Sequence, residues 1–210
     1  MPVFKYKDNY GLFTHIPKTG GESIVNYLYQ QGCDISFHSN FSWVSEIDEV
    51  LLKKNMVFNY EGPVPALQHL ISSDLNENLH LDKIKWIFTF IRHPTDRLLS
   101  EYYSKELSLP INVWVRLAYD MYKISPSIYD NHIRPQSDFL IKEMEIFKFP
   151  DFSNFKKVAQ QKMGIPIGDI PLKNQGKKPK KERMQTLNPS SKKLIKQWYK
   201  KDYELWGEMK

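Results

Sequence analysis

The stretch Phe13–Val25, "FTHIPKTGGESIV", decides the fold of this chain. A short apolar run, Gly11–Ile16, predicts a buried strand, and it ends in Pro-Lys-Thr-Gly-Gly. The residues that follow have helical spacing, with Ile24, Val25 and Leu28 on one face. The stretch therefore predicts a strand, a glycine turn and a helix, the unit from which parallel sheets are built.

A second unit of this kind starts at Lys83–Ile91, "KIKWIFTFI". Its almost unbroken apolar end is typical of a parallel strand covered on both faces. A helix is predicted after it at about Thr95–Leu107, a weaker one near Ser45–Lys54, and helices with loops over Pro110–Lys148. Two strand–turn–helix units predict a three-layer α/β fold, in which helices flank a central parallel sheet.

The composition is that of a soluble globular protein, with 41% hydrophobic and 26% charged residues. No linker divides the chain, so residues 1–210 are expected to form a single domain. The single cysteine, Cys33, excludes an internal disulfide and is typical of a reducing compartment. Because no apolar segment is long enough to cross a bilayer and no secretory core begins the chain, we expect a cytoplasmic protein.

Basic residues concentrate near the C-terminus, and the net charge of +6 favours anionic partners. Lys173–Arg183 holds six basic residues and one acid, and taken alone it is typical of a solvated, mobile basic loop. After it, Asn188 as an N-cap and Pro189 in the first turn predict an amphipathic terminal helix.

The turn after the first strand has the chemistry of an anion site. Gly20 and Gly21 let the backbone approach a ligand, and the free N–H groups of the helix favour a negative charge. Lys18 adds a full positive charge, while Thr19 and Ser23 add hydroxyl donors. The alternative is an ordinary strand-to-helix turn with an exposed lysine. The nucleotide-triphosphatase loop GxxxxGK[ST] is absent, since the lysine precedes the glycines.

The turn after the second strand is also basic. Arg92 stands at the strand's end, where a metal-dependent phosphotransferase would have an aspartate for Mg²⁺. Arg97 and Ser100 share the polar face of the predicted helix, and a guanidinium with a hydroxyl can hold a terminal phosphate. The alternative for Arg97 is a surface ion pair with Glu101.

"PKTGGES" (Pro17–Ser23) followed by "RHPTDRLLSEYY" (Arg92–Tyr103) resembles the two cofactor motifs of sulfotransferases that use 3′-phosphoadenosine 5′-phosphosulfate. The resemblance implies a P-loop-like three-layer fold and a transfer that needs no metal. Glu22 stands where the family usually has threonine or serine. The implied cofactor-binding residues are Lys18, Thr19, Gly20, Gly21 and Ser23 at the phosphosulfate, and Arg92 and Ser100 at the 3′-phosphate.

Three further segments resemble the bacterial and carbohydrate branch of that family, akin to heparan and chondroitin O-sulfotransferases. They are Pro65–Leu75 ("PALQHLISSDL"), Arg134–Leu140 ("RPQSDFL") and Tyr199–Gly207 ("YKKDYELWG"). The resemblance implies an acceptor hydroxyl on a sugar or glycan. The basic segment 173–183 would close over the cofactor, as a flexible loop does in the family, or bind an anionic acceptor.

His69 is the candidate catalytic base, since it lies where the family's catalytic histidine or glutamate falls, and Lys18 would stabilise charge on the departing oxygen. Glu61 is the fallback base. Arg134 and Gln136 are candidate substrate-binding residues that face the acceptor or support the site. The alternative for these two is a capping network around Asp138.

Of the other histidines, His15 is expected to pack inside the strand, and His93 neighbours Arg92. His38, His80 and His132 have no distinguishing context. Two other functions stay open, a kinase-like phosphotransferase and a non-catalytic binder of anions or nucleic acid. A nucleic-acid partner is not expected, because the aromatic residues do not alternate with basic ones as a stacking surface requires.

Overall fold

The structure is a computed structural model that describes residues 2–38, 49–53, 58–60, 62–105, 108–171 and 186–208. Four predicted features fall wholly or partly outside these residues, one of them the helix predicted at Thr95–Leu107, whose last two residues are not described. Glu61 and the basic segment Lys173–Arg183 lie outside entirely, and of the weak helix near Ser45–Lys54 only a short 3₁₀ turn, Glu49–Leu51, is described.

Within the described residues, five strands form one sheet in the order β3-β1-β2-β4-β5. Strands β2 and β4 pair in parallel, as predicted, and β5 adds a further parallel strand beside β4 within Pro110–Lys148, where only helices and loops were predicted. Strand β1 is antiparallel to both β2 and β3. The expected central parallel sheet is therefore mixed at one side. The strands are β1 (Val3–Tyr6), β2 (Asn9–Thr14), β3 (Asp34–Ser36), β4 (Trp86–Ile91) and β5 (Glu145–Lys148).

The antiparallel strand β1 arises from a tight hairpin. Tyr6 pairs with Asn9, so two residues connect β1 to β2, and the first of them, Lys7, has a left-handed φ of 54°. A two-residue connection joins only antiparallel strands, whereas parallel neighbours need a long crossover. The hairpin therefore adds a reversed strand beside β2 and leaves the β2–β4–β5 arrangement intact.

Helices connect and cover the strands. The helix predicted after the first turn is α1, and the one predicted at Thr95–Leu107 is α3, which begins one residue earlier at Pro94 and ends at Ser104. The predicted terminal helix is interrupted at Tyr199 and forms α6 and α7. The helices are α1 (Gly21–Gln30), α2 (Ser72–Asn78), α3 (Pro94–Ser104), α4 (Ile111–Ile124), α5 (Ser153–Met163), α6 (Pro189–Trp198) and α7 (Lys200–Glu208).

Local signals account for the start of α6. The Asn188 side chain accepts a hydrogen bond from the backbone N–H of Ser191 at 2.8 Å, so the predicted N-cap is confirmed. Among the described residues, no helix has the length and apolar character needed to cross a membrane.

The sheet is buried on both faces because alternate residues of a strand point to opposite sides. On one face, Phe13 and Phe88 stack with ring centroids 5.0 Å apart and pack against Leu28 of α1 and Phe155 of α5. On the other face, Leu12 packs with Leu75 of α2. Helices α3, α4 and α6 form a separate apolar cluster. These layers hold the ends of β2 and β4 at one edge, where α1 and α3 begin.

Candidate active site

The loop between β2 and α1 exposes backbone donors. Lys18 and Gly20 both have left-handed backbone angles, with φ of 69° and 88°. The Thr19 hydroxyl is buried and donates to the Ile16 carbonyl at 2.7 Å, which closes the loop. The backbone N–H groups of Thr19, Gly20 and Gly21 reach no acceptor in the described part of the chain. A curled backbone with free N–H groups at a helix start is suited to bind an anion.

The two glycines of this loop are also required by packing. A Cβ atom on Gly21 would lie 1.9 Å from Nε2 of His15, and one on Gly20 would lie 2.6 Å from the Phe149 ring. Both distances are too short for any side chain, and Gly20 also needs its left-handed angle. Ser23, another predicted donor, is 3% exposed in the first turn of α1.

The turns after β2 and β4 are adjacent. Nη1 of Arg92 donates to the Lys18 carbonyl at 3.1 Å, and the guanidinium stands 5.2 Å from the centroid of the Phe149 ring. The side-chain amide of Gln136 fixes the Arg92 backbone, because it donates to the Arg92 carbonyl and accepts from the Arg92 N–H, each at 2.9 Å. The turns after β2 and β4 therefore meet at one edge of the sheet, where the Arg92 side chain contacts the backbone of the first turn.

The polar face of α3 is buried, contrary to the interpretation of Arg97 as part of a surface ion pair. Arg97 is 1% exposed, and its guanidinium donates to the carbonyls of His132, at 2.9 Å, and Arg134. Each charge-assisted bond fixes the segment that carries His132. Ser100 is half-buried on the same helix, between Arg97 and Glu101.

His69 is paired with a carboxylate that the sequence did not single out. Its Nδ1 lies 2.7 Å from Oδ2 of Asp130, and His69 is 4% exposed. Burial would raise the pKa of Asp130, but the hydrogen bond and charge of His69 hold that pKa below its usual range. Burial lowers the pKa of His69 to about 4, against the opposing effect of Asp130. At neutral pH the imidazole is therefore neutral, donates from Nδ1, and has a lone pair on Nε2.

A strained turn presents this carboxylate. Tyr129, Asp130 and Asn131 have φ angles of 56°, 58° and 60° in succession. Left-handed angles cost about 1–2 kcal/mol for each non-glycine residue, so surrounding contacts must hold the turn. Two of them are polar: Asp130 Oδ1 accepts from the Ala66 N–H at 2.6 Å, and Asn131 donates to the His69 carbonyl at 2.9 Å.

His132 forms a second histidine–carboxylate pair. Its Nδ1 lies 2.7 Å from Oε2 of Glu101, which is 1% exposed. The same carboxylate lies 3.9 Å from Nζ of Lys18 and 3.6 Å from Nζ of Lys105. Burial would raise the pKa of Glu101, but His132 and the two lysines hold it below its ordinary value. Burial lowers the pKa of Lys18, and Glu101 opposes that shift.

Four histidines gather around this point. The ring centroids of His69 and His132 are 4.8 Å apart, those of His15 and His69 are 5.1 Å apart, and those of His15 and His38 are 6.2 Å apart. His15 is buried, as predicted, and burial lowers the pKa of His38 to about 4. No sequence pattern groups these residues, because only the fold brings them together.

The cluster contains a potential metal-ligand set in His69, Asp130 and His132, whose donor atoms all lie within 4.8 Å of one another. Two ligand atoms that each lie about 2 Å from a zinc ion are at most about 4 Å apart, which is less than the 4.8 Å that these donor atoms span. The set would have to contract to hold such an ion, and the absence of a metal from the reaction stays a prediction.

Two predicted substrate-binding residues have partners within the protein. Nε of Arg134 donates to Oδ2 of Asp138 at 2.8 Å, as the capping alternative proposed. Gln136 is 1% exposed, and its backbone N–H donates to the buried carboxylate of Asp202 at 2.8 Å. These contacts favour a supporting role for Gln136, whose amide also holds Arg92.

The remaining histidines lie away from the cluster. The His93 ring packs against Tyr203 and Trp206, with centroids 5.5 and 6.0 Å apart. His80 is partly exposed and lies 3.7 Å from Asp82. A cavity of about 670 Å³ next to His93 contains none of the predicted site residues; it is lined by His93, Thr95, Asp96, Leu187, Pro189, Lys192, Lys193, Lys196 and Tyr203.

Comparison with protein families agrees with the resemblance of the two turns. A family model described as "Sulfotransferase family" matches residues 3–207, which is nearly the whole chain. Searches of curated proteins and of solved structures return no significant match. The family match includes both turns and all four clustered histidines. The chain therefore belongs to the sulfotransferase family.

Proposed function

We propose that the protein transfers a sulfuryl group from 3′-phosphoadenosine 5′-phosphosulfate to a hydroxyl of a carbohydrate. The observation that carries this proposal is the contact between the two turns, in which Arg92 donates to the Lys18 carbonyl at 3.1 Å. A nucleotide with phosphate groups at both ends of its ribose needs two neighbouring anion sites, and these turns supply them.

The first turn is suited to the phosphosulfate. The free N–H groups of residues 19–21 and the Lys18 ammonium all offer hydrogen bonds to anionic oxygens. Arg92 and Ser100 would bind the 3′-phosphate, since a guanidinium binds phosphate oxygens in a fork and a hydroxyl adds a donor. The assignments of Thr19, Ser23 and Ser100 rest on the family motif.

His69 would take the proton of the acceptor hydroxyl on Nε2 while Asp130 holds Nδ1–H. The acceptor oxygen then forms a bond to sulfur as the bond between sulfur and the bridging phosphate oxygen breaks. The electron pair of that bond stays on the departing phosphate oxygen, where Lys18 stabilises the charge. A bound anionic donor would raise the pKa of His69 from its low value and make it a stronger base.

The carbohydrate acceptor is supported by the likeness of Pro65–Leu75, Arg134–Leu140 and Tyr199–Gly207 to carbohydrate sulfotransferases. The segments also have structural partners in the site. The first carries His69, and the second carries Gln136, which pairs with Arg92. The third carries Asp202, which accepts from the Gln136 N–H at 2.8 Å.

Transfer of radiolabelled sulfate from the nucleotide donor tests this function. The acceptors would be methyl glycosides of glucose, galactose and glucuronic acid, with cyclohexanol and phenol as alcohols of other classes. We expect labelled product with a glycoside and loss of at least about a hundredfold in rate for Lys18→Met, since the lysine charge acts on the leaving oxygen. A Lys18→Met protein with wild-type turnover would contradict the mechanism.

A further inference from the structure

We infer that His132 binds the acceptor beside His69, so that the site takes a vicinal diol: one hydroxyl is sulfated at His69 and its neighbour forms a hydrogen bond with His132. The inference rests on the proposed function and names the acceptor class of the same site. It starts from the observation that two imidazoles, with ring centroids 4.8 Å apart, each bind a carboxylate through Nδ1.

The carboxylates fix the direction of both rings. Asp130 and Glu101 accept at 2.7 Å from His69 and His132, and an ionised carboxylate can only accept a hydrogen bond. Each histidine therefore donates from Nδ1, which leaves Nε2 of both rings to contact a ligand. Two ring nitrogens side by side suit a ligand with two neighbouring hydroxyls, because a hydroxyl can both donate and accept, and adjacent hydroxyls of a sugar ring have that arrangement.

Exposure assigns a different role to each ring. The His69 side chain is 5% exposed and that of His132 is 21% exposed, so His132 is the more open of the two. A hydrogen bond from a hydroxyl to an imidazole nitrogen spans about 2.8 Å, which lets neighbouring hydroxyls reach two rings at this separation. The inner ring would take the proton of the reacting hydroxyl, and the outer ring would hold the second hydroxyl.

His132 is held firmly enough to position a ligand. Its carbonyl accepts from the buried Arg97 guanidinium at 2.9 Å, and its ring is held by Glu101. Glu101 also lies 3.9 Å from Nζ of Lys18, so the residue that orients His132 contacts the lysine of the donor loop. The acceptor and the donor are thus positioned through one buried carboxylate.

The test combines two variants with altered acceptors. His132→Gln keeps a donor for Glu101 and an oxygen that accepts from a hydroxyl, whereas His132→Leu keeps neither. The probes are the best methyl glycoside of the acceptor screen and its monodeoxy analogues. His80→Leu, which changes a histidine outside the cluster, is the control, and thermal unfolding of each variant checks its folding.

In the wild-type protein, removal of the hydroxyl next to the sulfated position should lower kcat/KM about tenfold or more through KM. His132→Leu should have a similarly lowered kcat/KM on the parent glycoside, and its kcat/KM should fall no further on the deoxy analogue. His132→Gln should recover activity to within about threefold of wild type. In every folded variant, affinity for 3′-phosphoadenosine 5′-phosphate should stay within about twofold.

Three results would overturn the inference. The first is transfer to cyclohexanol or phenol but to no glycoside. The second is an equal loss of kcat/KM for the deoxy analogue in the wild-type protein and in His132→Leu. The third is no transfer to any probe by protein that binds the bisphosphate. Failure to bind the bisphosphate at all would instead contradict the proposed function, so the two failures are distinguishable.

Discussion

The two histidine–carboxylate pairs of the site have opposite patterns of burial. In the first, the His69 side chain is 5% exposed and its partner Asp130 is 38% exposed. In the second, the carboxylate is inside: Glu101 is 1% exposed and His132 is 21% exposed. Both hydrogen bonds are 2.7 Å long, so the difference lies in which partner is withdrawn from water.

This difference in burial gives the two histidine–carboxylate pairs different roles. A buried imidazole resists protonation, so His69 stays a neutral proton acceptor with a pKa of about 4. A buried carboxylate needs cationic or donor partners, and Glu101 has Lys18, Lys105 and His132 around it. The first pair therefore prepares a base, and the second organises charge between the donor loop and the acceptor side.

Removal of the inner imidazole should have the largest effect. His69→Ala deletes the proposed base, and we expect transfer to fall by about a thousandfold or more, measured with the radiolabelled donor. Calorimetric affinity for 3′-phosphoadenosine 5′-phosphate should survive, because His69 is not part of either anion site. His80→Ala should keep wild-type turnover, and wild-type turnover in His69→Ala would refute the assignment of the base.

Asp130→Asn tests the carboxylate of the same pair. An amide can donate to Nδ1 and so favour the tautomer with a proton on Nε2, which cannot accept one. We expect kcat to fall about a hundredfold, while the free energy of unfolding changes by less than about 1 kcal/mol because Asp130 is partly exposed. An unchanged kcat would show that Asp130 does not set the tautomer.

Glu101→Gln should have the reverse pattern, with a larger cost in stability. The buried carboxylate compensates Lys18 and Lys105 and accepts from His132, so its neutralisation should lower the free energy of unfolding by about 2–4 kcal/mol in urea titrations. Asp130→Asn is the matched control. Equal losses of stability in the two variants would contradict the difference in burial on which the comparison rests.

The smallest effect is a pH dependence of stability. An unfolded histidine has a pKa near 6.5, and burial lowers that of His69 to about 4 in the folded protein. Below pH 6.5 the unfolded chain gains a proton that the folded protein does not. The free energy of unfolding therefore decreases as the pH is lowered, by at most about 1.4 kcal/mol per pH unit for this group.

Urea titrations between pH 7 and pH 5 measure this slope, above the range in which Asp130 and Glu101 titrate. His69→Gln should have a shallower slope than the wild-type protein. His38 has a similarly lowered pKa, so some slope should remain in that variant. Identical slopes in the two proteins would mean that His69 titrates near its ordinary pKa in the folded state.

Local sequence patterns predicted the elements that position the donor site. The apolar runs before Lys18 and Arg92, the paired glycines and the Asn188 cap each act within a few residues, so the sequence alone reveals them. The β1 hairpin was missed, because its strand is short and its turn lacks the usual asparagine or glycine.

The second half of the site depends on contacts between distant residues. Asp130 and His69 are 61 residues apart, and His132 and Glu101 are 31 residues apart. No local pattern links such pairs, and His69 itself was identified through family resemblance. The burial of Arg97 could not be predicted, because helical periodicity shows which residues share a face and not whether that face is covered.

Calorimetry with 3′-phosphoadenosine 5′-phosphate tests most directly whether the two turns form one nucleotide site. With a chelator present to remove metals, we predict tight binding of the bisphosphate and little heat from ATP with Mg²⁺. Arg92→Met should lower the affinity for the bisphosphate more than the affinity for adenosine 5′-phosphate, because the Arg92 guanidinium is proposed to bind the 3′-phosphate. Equal affinity for the bisphosphate and ATP would contradict the proposal that one site spans Lys18 and Arg92.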